Sequence, residues 1–398
     1  MSTRPLQRPR PLYVTCDHGV EDLLATELKK LGADEVMTSH RGVHCMGHEM
    51  IIWRINLCSR LANRVLIPLT EFMATDKDSL YTQVKKIRWD WWITPQHTIA
   101  VDASSVDSQL QHTHFIAQVT KDAIVDAMRD RFQIRPNVDT QQADLPVNIH
   151  IIDNLCTVSL DSSGMRLHKR GYRTQAGEAP LKETLASFLN HRAQWRPHEA
   201  IVDLTCGSGT ILIEAALRGC VKVLGQQRAN QQGFAFQKWL SHAPHKFEQW
   251  LASIPTASPH PLYLWGSDRD GKQIQYAKNN AKNAEVEPIC QWLKADLNNA
   301  APQAAAWVKK VRPTTDTGRI GIVLMNPPYG VRLSQQEELR SFYYDLGQAL
   351  KTYFVGYEAW ILVAKQAPWK NIGLKVKQKI PIRNGKLDCW LLHYELYK

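Results

Sequence analysis

From Glu183 onward, short apolar runs alternate with stretches of helical periodicity, and this alternation constrains the fold more than any other feature of the sequence. The runs lie at 200–202, 262–264, 289–292, 320–325 and 360–363. A strand covered on one face alternates apolar with polar residues, whereas a strand covered on both faces does not. Ile320-Gly-Ile-Val-Leu-Met325 has no alternation, which predicts an α/β domain: a parallel sheet built from βαβ units with helices on both faces. The end departs from that scheme. Asn384-Gly385, between the stretches 375–381 and 387–396, predicts a closing antiparallel hairpin, because Asn-Gly accepts the positive φ of a type I′ turn.

The first 165 residues lack that regularity. After a basic lead (Arg4, Arg8, Arg10), the pattern predicts a strand at 12–15 and a helix bearing Val20, Leu23, Leu24, Leu28 and Leu31, ended by Gly32. A strand pair turning at Arg41-Gly42 and a helix over 51–64 complete a small α+β unit. A second block repeats the style, with a strand at 99–101, a helix over 115–128, and strands at 146–152 and 156–160 joined by Asp153-Asn154. Neither block holds a catalytic cluster, so both read as accessory. Trp89, Trp91 and Trp92 are better explained by core packing than by base stacking. His112 and His114 read as surface histidines.

At 398 residues the chain has room for two or three domains. The division predicted is 1–65, 66–165 and 166–398, with a helical insertion at 220–261 rich in Gln, Trp and His. Lys and Arg number 49 against 38 Asp and Glu, a net charge of +11 that permits a polyanionic partner without requiring one. The eight cysteines form no C-x-x-C pair, so no metal site is expected and the thiols should be reduced. No run approaches the 18 or so apolar residues of a membrane helix, and the first residues carry no apolar signal core, which gives a cytoplasmic expectation.

Within the α/β part, Val202-Asp-Leu-Thr-Cys-Gly-Ser-Gly-Thr210 joins a strand to a helix through a glycine turn. Gly207 and Gly209 let the backbone turn tightly and approach a ligand, and Asp203 can accept hydrogen bonds from an ammonium group. A Walker loop would need G-K-[ST], and a dinucleotide loop would need a third glycine where Leu212 stands. An acid beside the turn would also repel a pyrophosphate. The fitting ligand is zwitterionic, such as the methionine end of S-adenosylmethionine; a bare turn with no ligand is the alternative.

Two further carboxylates follow at strand ends. Asp268, in Trp265-Gly-Ser-Asp-Arg-Asp270, stands where a ribose-binding acid is expected, though at a longer interval than the roughly 20 residues of dinucleotide folds. The 220–261 insertion accounts for the excess. Asp296, in Lys294-Ala-Asp296, can accept from an adenine amino group. Singly each is better explained by a solvated loop or a helix cap; in series they suggest a nucleoside site.

The strand at 320–325 ends in Asn326-Pro-Pro-Tyr329. Neither Pro327 nor Pro328 has an amide hydrogen, and each biases its predecessor toward extended geometry, so the ladder must stop and Asn326 is held in a stiff corner. Taken alone, the corner is equally well an ordinary turn. Beside the glycine turn and the acids it acquires a chemical role. An exocyclic base amine is a poor nucleophile because its lone pair is delocalised. The Asn326 amide oxygen and the Pro327 carbonyl can accept its two N–H bonds, with Tyr329 stacked on the base.

DLTCGSGT and NPPYG, with RGYRTQAGEAPLKETLA (170–186) before them and NGKLDCWLLHY after them, resemble the THUMP-containing class I methyltransferases. Within these the resemblance is to the bacterial 23S rRNA guanine-N2-methyltransferase branch, often labelled N6-adenine-specific DNA methylases. It implies a Rossmann-like catalytic sheet preceded by ferredoxin-like and THUMP domains, RNA as partner, and S-adenosylmethionine as cofactor. Carried onto this sequence, Asp203, Cys206, Gly207, Gly209 and Thr184 would contact or enclose the cofactor, with Asp268 at the ribose and Asp296 at the adenine. Asn326, Pro327, Pro328 and Tyr329 would hold the target amine. Arg166, Lys169, Arg170 and Arg173 would grip RNA phosphates, although a charge run is usually a solvated face. Leu204-Thr205 departs from the Pro-Met or Pro-Phe of relatives. The sequence stops at Lys398 where some relatives continue into a second methyltransferase, whose activity should not be attributed here. The motif does not choose the base. A tRNA guanine-N2 enzyme, a DNA adenine-N6 enzyme and a silent RNA-binding assembly factor remain alternatives.

Overall fold

The computed structural model describes residues 5–177, 180–220, 223–254, 261–311, 319–329, 336–385 and 387–397. Several expectations fall outside these residues: the stretch after Tyr329, Lys386 of the NGKLDCWLLHY segment, residues 178–179, and 221–222 with 255–260 of the predicted insertion. The chain divides into two compact units, residues 1–169 with 223–254, and residues 170–222 with 255–398.

The first unit is built on a mixed eight-stranded sheet. Its strands are β1 (Arg10–Thr15), β2 (Asp34–Ser39), β3 (Gly42–Gly47), β4 (Arg64–Met73), β5 (Thr98–Val106), β6 (Asn137–Val138), β7 (Leu145–Ile152) and β8 (Leu155–Asp161), in the order β2-β3-β1-β4-β8-β7-β5-β6. Helices α1 (Glu21–Lys30), α2 (Glu49–Cys58), α3 (Lys77–Lys85) and α4 (Thr113–Phe132) accompany it. The sequence reading runs a helix over 51–64 and sees no strand after it. The helix ends at Cys58, and β4 follows. Pro68 hides this strand, since proline argues against a central ladder position; here it sits where the β4–β8 register shifts, the irregularity that tolerates it. Because β4 pairs with both β1 and β8, the two accessory blocks share one sheet.

Residues 223–254, predicted as an insertion in the catalytic part, group with this first unit. Arg228 is buried and its guanidinium donates to the carbonyls of Ser163 (2.5 Å) and Met165 (2.9 Å). Trp239 Nε1 donates to the Asp144 carbonyl, and its ring meets Trp92 edge to face. Trp89 and Trp92 are thus core residues, whereas Trp91 is 46% exposed.

The second unit has a seven-stranded sheet. Its strands are β9 (Ala200–Asp203), β10 (Tyr263–Asp268), β11 (Cys290–Lys294), β12 (Gly321–Met325), β13 (Glu358–Ala364), β14 (Gln378–Asn384) and β15 (Leu387–Glu395). The order is β11-β10-β9-β12-β13-β15-β14, with the first five parallel and β15 antiparallel to both its neighbours. Helices α5 (Glu183–Arg192), α6 (Thr210–Gly219), α9 (Gly271–Asn283), α10 (Leu297–Val311) and α11 (Gln336–Tyr353) alternate with the strands; α7 (Gln226–Gln231) and α8 (Pro244–Ser253) belong to the first unit. All five residues of β12 are buried, as its unbroken apolar run requires. Val323 and Met325 pack with Ala301 and Val308 of α10 and with Tyr343, Leu346 and Leu350 of α11.

The order in which strands are added reverses between β9 and β12. From β9 the chain proceeds outward through β10 and β11, then returns to lay β12 on the other flank of β9. Such a reversal opens a crevice at the carboxyl ends of the two strands, where ligands bind in open α/β sheets.

Candidate functional site

β9 ends at Asp203, whose side chain is 1% exposed and accepts the Thr205 amide at 3.1 Å. No ion pair among the described residues neutralises it. Burial, reinforced by the nearby Asp268 charge and opposed by the Thr205 hydrogen bond, pushes its carboxyl up to about 8. The glycine turn follows, held by Cys206 N to the Ser267 carbonyl (2.9 Å) and Gly209 N to the Cys206 carbonyl (2.9 Å). Cys206 is buried, and desolvation raises its thiol well above the ordinary range, so it is a packing residue rather than a nucleophile.

The two glycines have different reasons to be glycine. Gly209 has φ +83°, and a Cβ there would stand 2.6 Å from the Trp292 ring. Gly207 has φ +51°, but a Cβ would meet only Gln273 Oε1 at 3.9 Å. Gly209 is therefore required by packing, while Gly207 turns an open backbone face outward.

β10 ends at Asp268, which accepts from Gly207 N (3.0 Å) with one oxygen and from Asp270 N (2.9 Å) with the other. Desolvation raises its pKa against these two hydrogen bonds. β11 leads to the exposed Asp296, which accepts from Asn299 N (2.9 Å) and Asn299 Nδ2 (3.0 Å) at the start of α10. The helix-cap role weighed for it is real, although a carboxylate retains lone pairs after two such bonds. β12 ends in the corner, where Asn326 is half-buried, Pro327 buried, Pro328 exposed and Tyr329 half-buried. The Tyr329 hydroxyl donates to Asn326 Oδ1 and accepts from Asn384 Nδ2 at 3.1 Å.

Thr184 is 3% exposed in the first turn of α5. The basic run divides. Arg166 and Lys169 are exposed. Arg170, expected as a phosphate ligand, is instead 6% exposed with its guanidinium 3.7 Å from Glu214. Arg173 donates to the Leu181 carbonyl and Thr210 Oγ1 and lies 3.5 Å from Glu183. Buried carboxylates of their own unit engage both, so that expectation is corrected for Arg170 and Arg173.

The sequence reading missed the residues that pin 170–177 beside the glycine turn. Asn280, fully buried in α9, donates to the carbonyls of Gln175 and Ser208 and accepts from Thr174 N. Glu214 accepts from Tyr172 and Ser187 hydroxyls. Amides on a helix face otherwise apolar were the available signal. No group of three or more His, Cys, Asp or Glu among the described residues is arranged to hold a metal ion.

S-adenosylmethionine fits these residues: a buried, unneutralised acid for its ammonium, an open glycine backbone beside it, and two further acids on the neighbouring strand ends. The fold and site define a class I S-adenosylmethionine-dependent methyltransferase. The chain belongs to the RMKL-like methyltransferase family, whose domain model matches residues 170–393. A THUMP domain matches residues 74–161 and an RlmL ferredoxin-like domain residues 11–66.

A Synechocystis sp. protein called "Putative RNA methyltransferase slr0064" is 40% identical over 98% of this chain and 97% of its own length. The ribosomal RNA large subunit methyltransferase K/L of Syntrophotalea carbinolica is 37% identical over 98% of this chain, which spans only 54% of that relative. Among solved structures, SMU.472 complexed with SAH matches with a TM-score of 0.83 and 26% identity, covering 98% of this chain and 99% of that one.

Proposed function

We propose that the second unit methylates an exocyclic base amine of RNA, specifically guanine N2 of 23S rRNA. The observation that carries this reading is the order of the strand ends. Along β11-β10-β9-β12 the tips present Asp296, Asp268, Asp203 and Asn326. At about 4.8 Å between strands, three steps span roughly 14 Å, enough for adenine, ribose, methionine and target amine in that sequence.

S-adenosylmethionine, when bound, supplies an electrophilic methyl on sulfur. The protein's work is positioning. Asp203 receives the ammonium, Asp268 the ribose hydroxyls and Asp296 the adenine amine, alongside its cap bonds. Asn326 Oδ1 and the Pro327 carbonyl accept the two N–H groups of the target amine and aim its nitrogen, with Tyr329 against the base. The proton is released to solvent after transfer, when the nitrogen is cationic and acidic, so no strong base is required. The THUMP domain and the names of the relatives support RNA over DNA. The large-subunit K/L names support rRNA over tRNA.

Isothermal titration with S-adenosylmethionine, paired with transfer assays on RNA, tests the assignment. Asn326→Ala should leave cofactor affinity within about twofold while lowering turnover by two orders of magnitude or more, roughly the loss of one transition-state hydrogen-bonding group. Unchanged turnover would mean that the amine is held elsewhere.

A further inference from the structure

The hairpin that closes the second sheet differs from its sequence reading in one respect. Asn384 is not a turn residue with positive φ. It pairs with Leu387 as the last rung of β14 and β15, and Gly385, at φ +62°, begins the turn. The asparagine is thus not required by the turn, and its side chain reaches Tyr329.

A tyrosine hydroxyl has one proton to give. Tyr329 gives it to Asn326 Oδ1, so its own oxygen accepts from Asn384 Nδ2, and the hydrogen bonds run one way from Asn384 through Tyr329 to Asn326. Direction matters because a carboxamide can turn over, exchanging oxygen for NH2. Only its oxygen can accept an amine N–H; turned over, Asn326 would set a donor against a donor.

Resting on the amine-gripping reading of Asn326, we propose that Asn384 is a positioning residue. Through the Tyr329 hydroxyl, it keeps the Asn326 amide oxygen turned to the substrate amine.

The discriminating variant is Asn384→Asp. It preserves size and offers only acceptors when ionised, so it draws the Tyr329 proton away from Asn326 and invites that amide to turn over. With S-adenosylmethionine and unmodified 23S rRNA transcribed in vitro, Asn384→Ala should lower kcat about fivefold and Asn384→Asp about thirtyfold, the scale of neutral and charged hydrogen bonds. KM should move less than about twofold in both, because the docking contacts of RNA and cofactor are untouched. In a Tyr329→Phe background neither substitution should lower kcat further. A carboxylate variant no worse than the alanine variant, or equal losses in both backgrounds, overturns the proposal.

A second readout needs no turnover. Tyr329→Phe should displace the Asn384 side-chain amide resonances in 15N spectra of the full chain, and an unmoved pair overturns the relay. The two readings fail separately. Retained turnover in Asn326→Ala sinks the amine grip, whereas loss there with full activity in Asn384→Asp sinks only the role of Asn384.

Discussion

At the residue scale, the ammonium-binding role proposed for Asp203 would couple affinity to pH. Its folded-state pKa of about 8 lies far above its ordinary 3.8, so between those values the folded, ligand-free protein holds a proton that the unfolded chain has released. The stability this lends is complete below about pH 4 and lost as pH rises through about 8. An ammonium ligand needs the ionised form. Cofactor affinity should therefore rise by up to about tenfold per pH unit as pH approaches 8, and stop rising above it, where the ligand's own ammonium also loses its proton.

Asp203→Asn separates the two effects. Calorimetry of the ligand-free variant at pH 8.5 should give a higher Tm than the parent, while titration shows S-adenosylmethionine binding weakened about 10- to 100-fold, the worth of a charged hydrogen bond. A lower Tm with unchanged affinity would show that Asp203 is a structural acid. The sequence supplied the residue but not its proton. Burial depends on what other segments lay over the β9 tip, which no local pattern encodes.

At the element scale, the glycine turn, the halted strand and the hairpin were all readable, because each is fixed by backbone chemistry within a few residues. What local reading could not supply was the partner of each element. The irregularity that admits Pro68 to β4 is a property of the pair with β8, which no local pattern encodes. Asn384 reads as a turn residue because Asn-Gly suits a type I′ turn, and its partner Tyr329 lies 55 positions earlier, beyond any local pattern.

The two glycines provide an element-level test. Gly209→Ala combines the left-handed backbone cost with intrusion on Trp292, and should lose about 2 to 5 kcal/mol in urea unfolding. Gly207→Ala carries only the backbone cost, about 1 to 2 kcal/mol, yet should weaken S-adenosylmethionine more per unit of stability lost, since its new methyl enters the open face. Equal stability losses would contradict the assignment of one glycine to packing and the other to ligand approach.

At the scale of the whole molecule, the net charge of +11 and the THUMP domain favour an RNA partner held through phosphates. Filter binding to 23S rRNA fragments should show log affinity falling linearly with log salt, and Arg166→Ala with Lys169→Ala should flatten that slope, whereas a salt-independent affinity would exclude phosphate-led binding. Charge counting could not tell these two exposed residues from Arg170 and Arg173, which are distinguished by the buried Glu214 and Glu183 beside them. The accessory blocks and the catalytic sheet were legible from periodicity. The attachment of 223–254 to the first unit was not, since it rests on contacts such as Arg228 with Ser163.

The central claim, a methyl delivered to guanine N2 of 23S rRNA, is tested most directly by mass spectrometry of nucleosides. Unmodified 23S rRNA incubated with the protein and deuterated-methyl S-adenosylmethionine should yield labelled N2-methylguanosine in one rRNA fragment, and none with Asn326→Ala. Label appearing only in another nucleoside, or persisting undiminished in that variant, would contradict it.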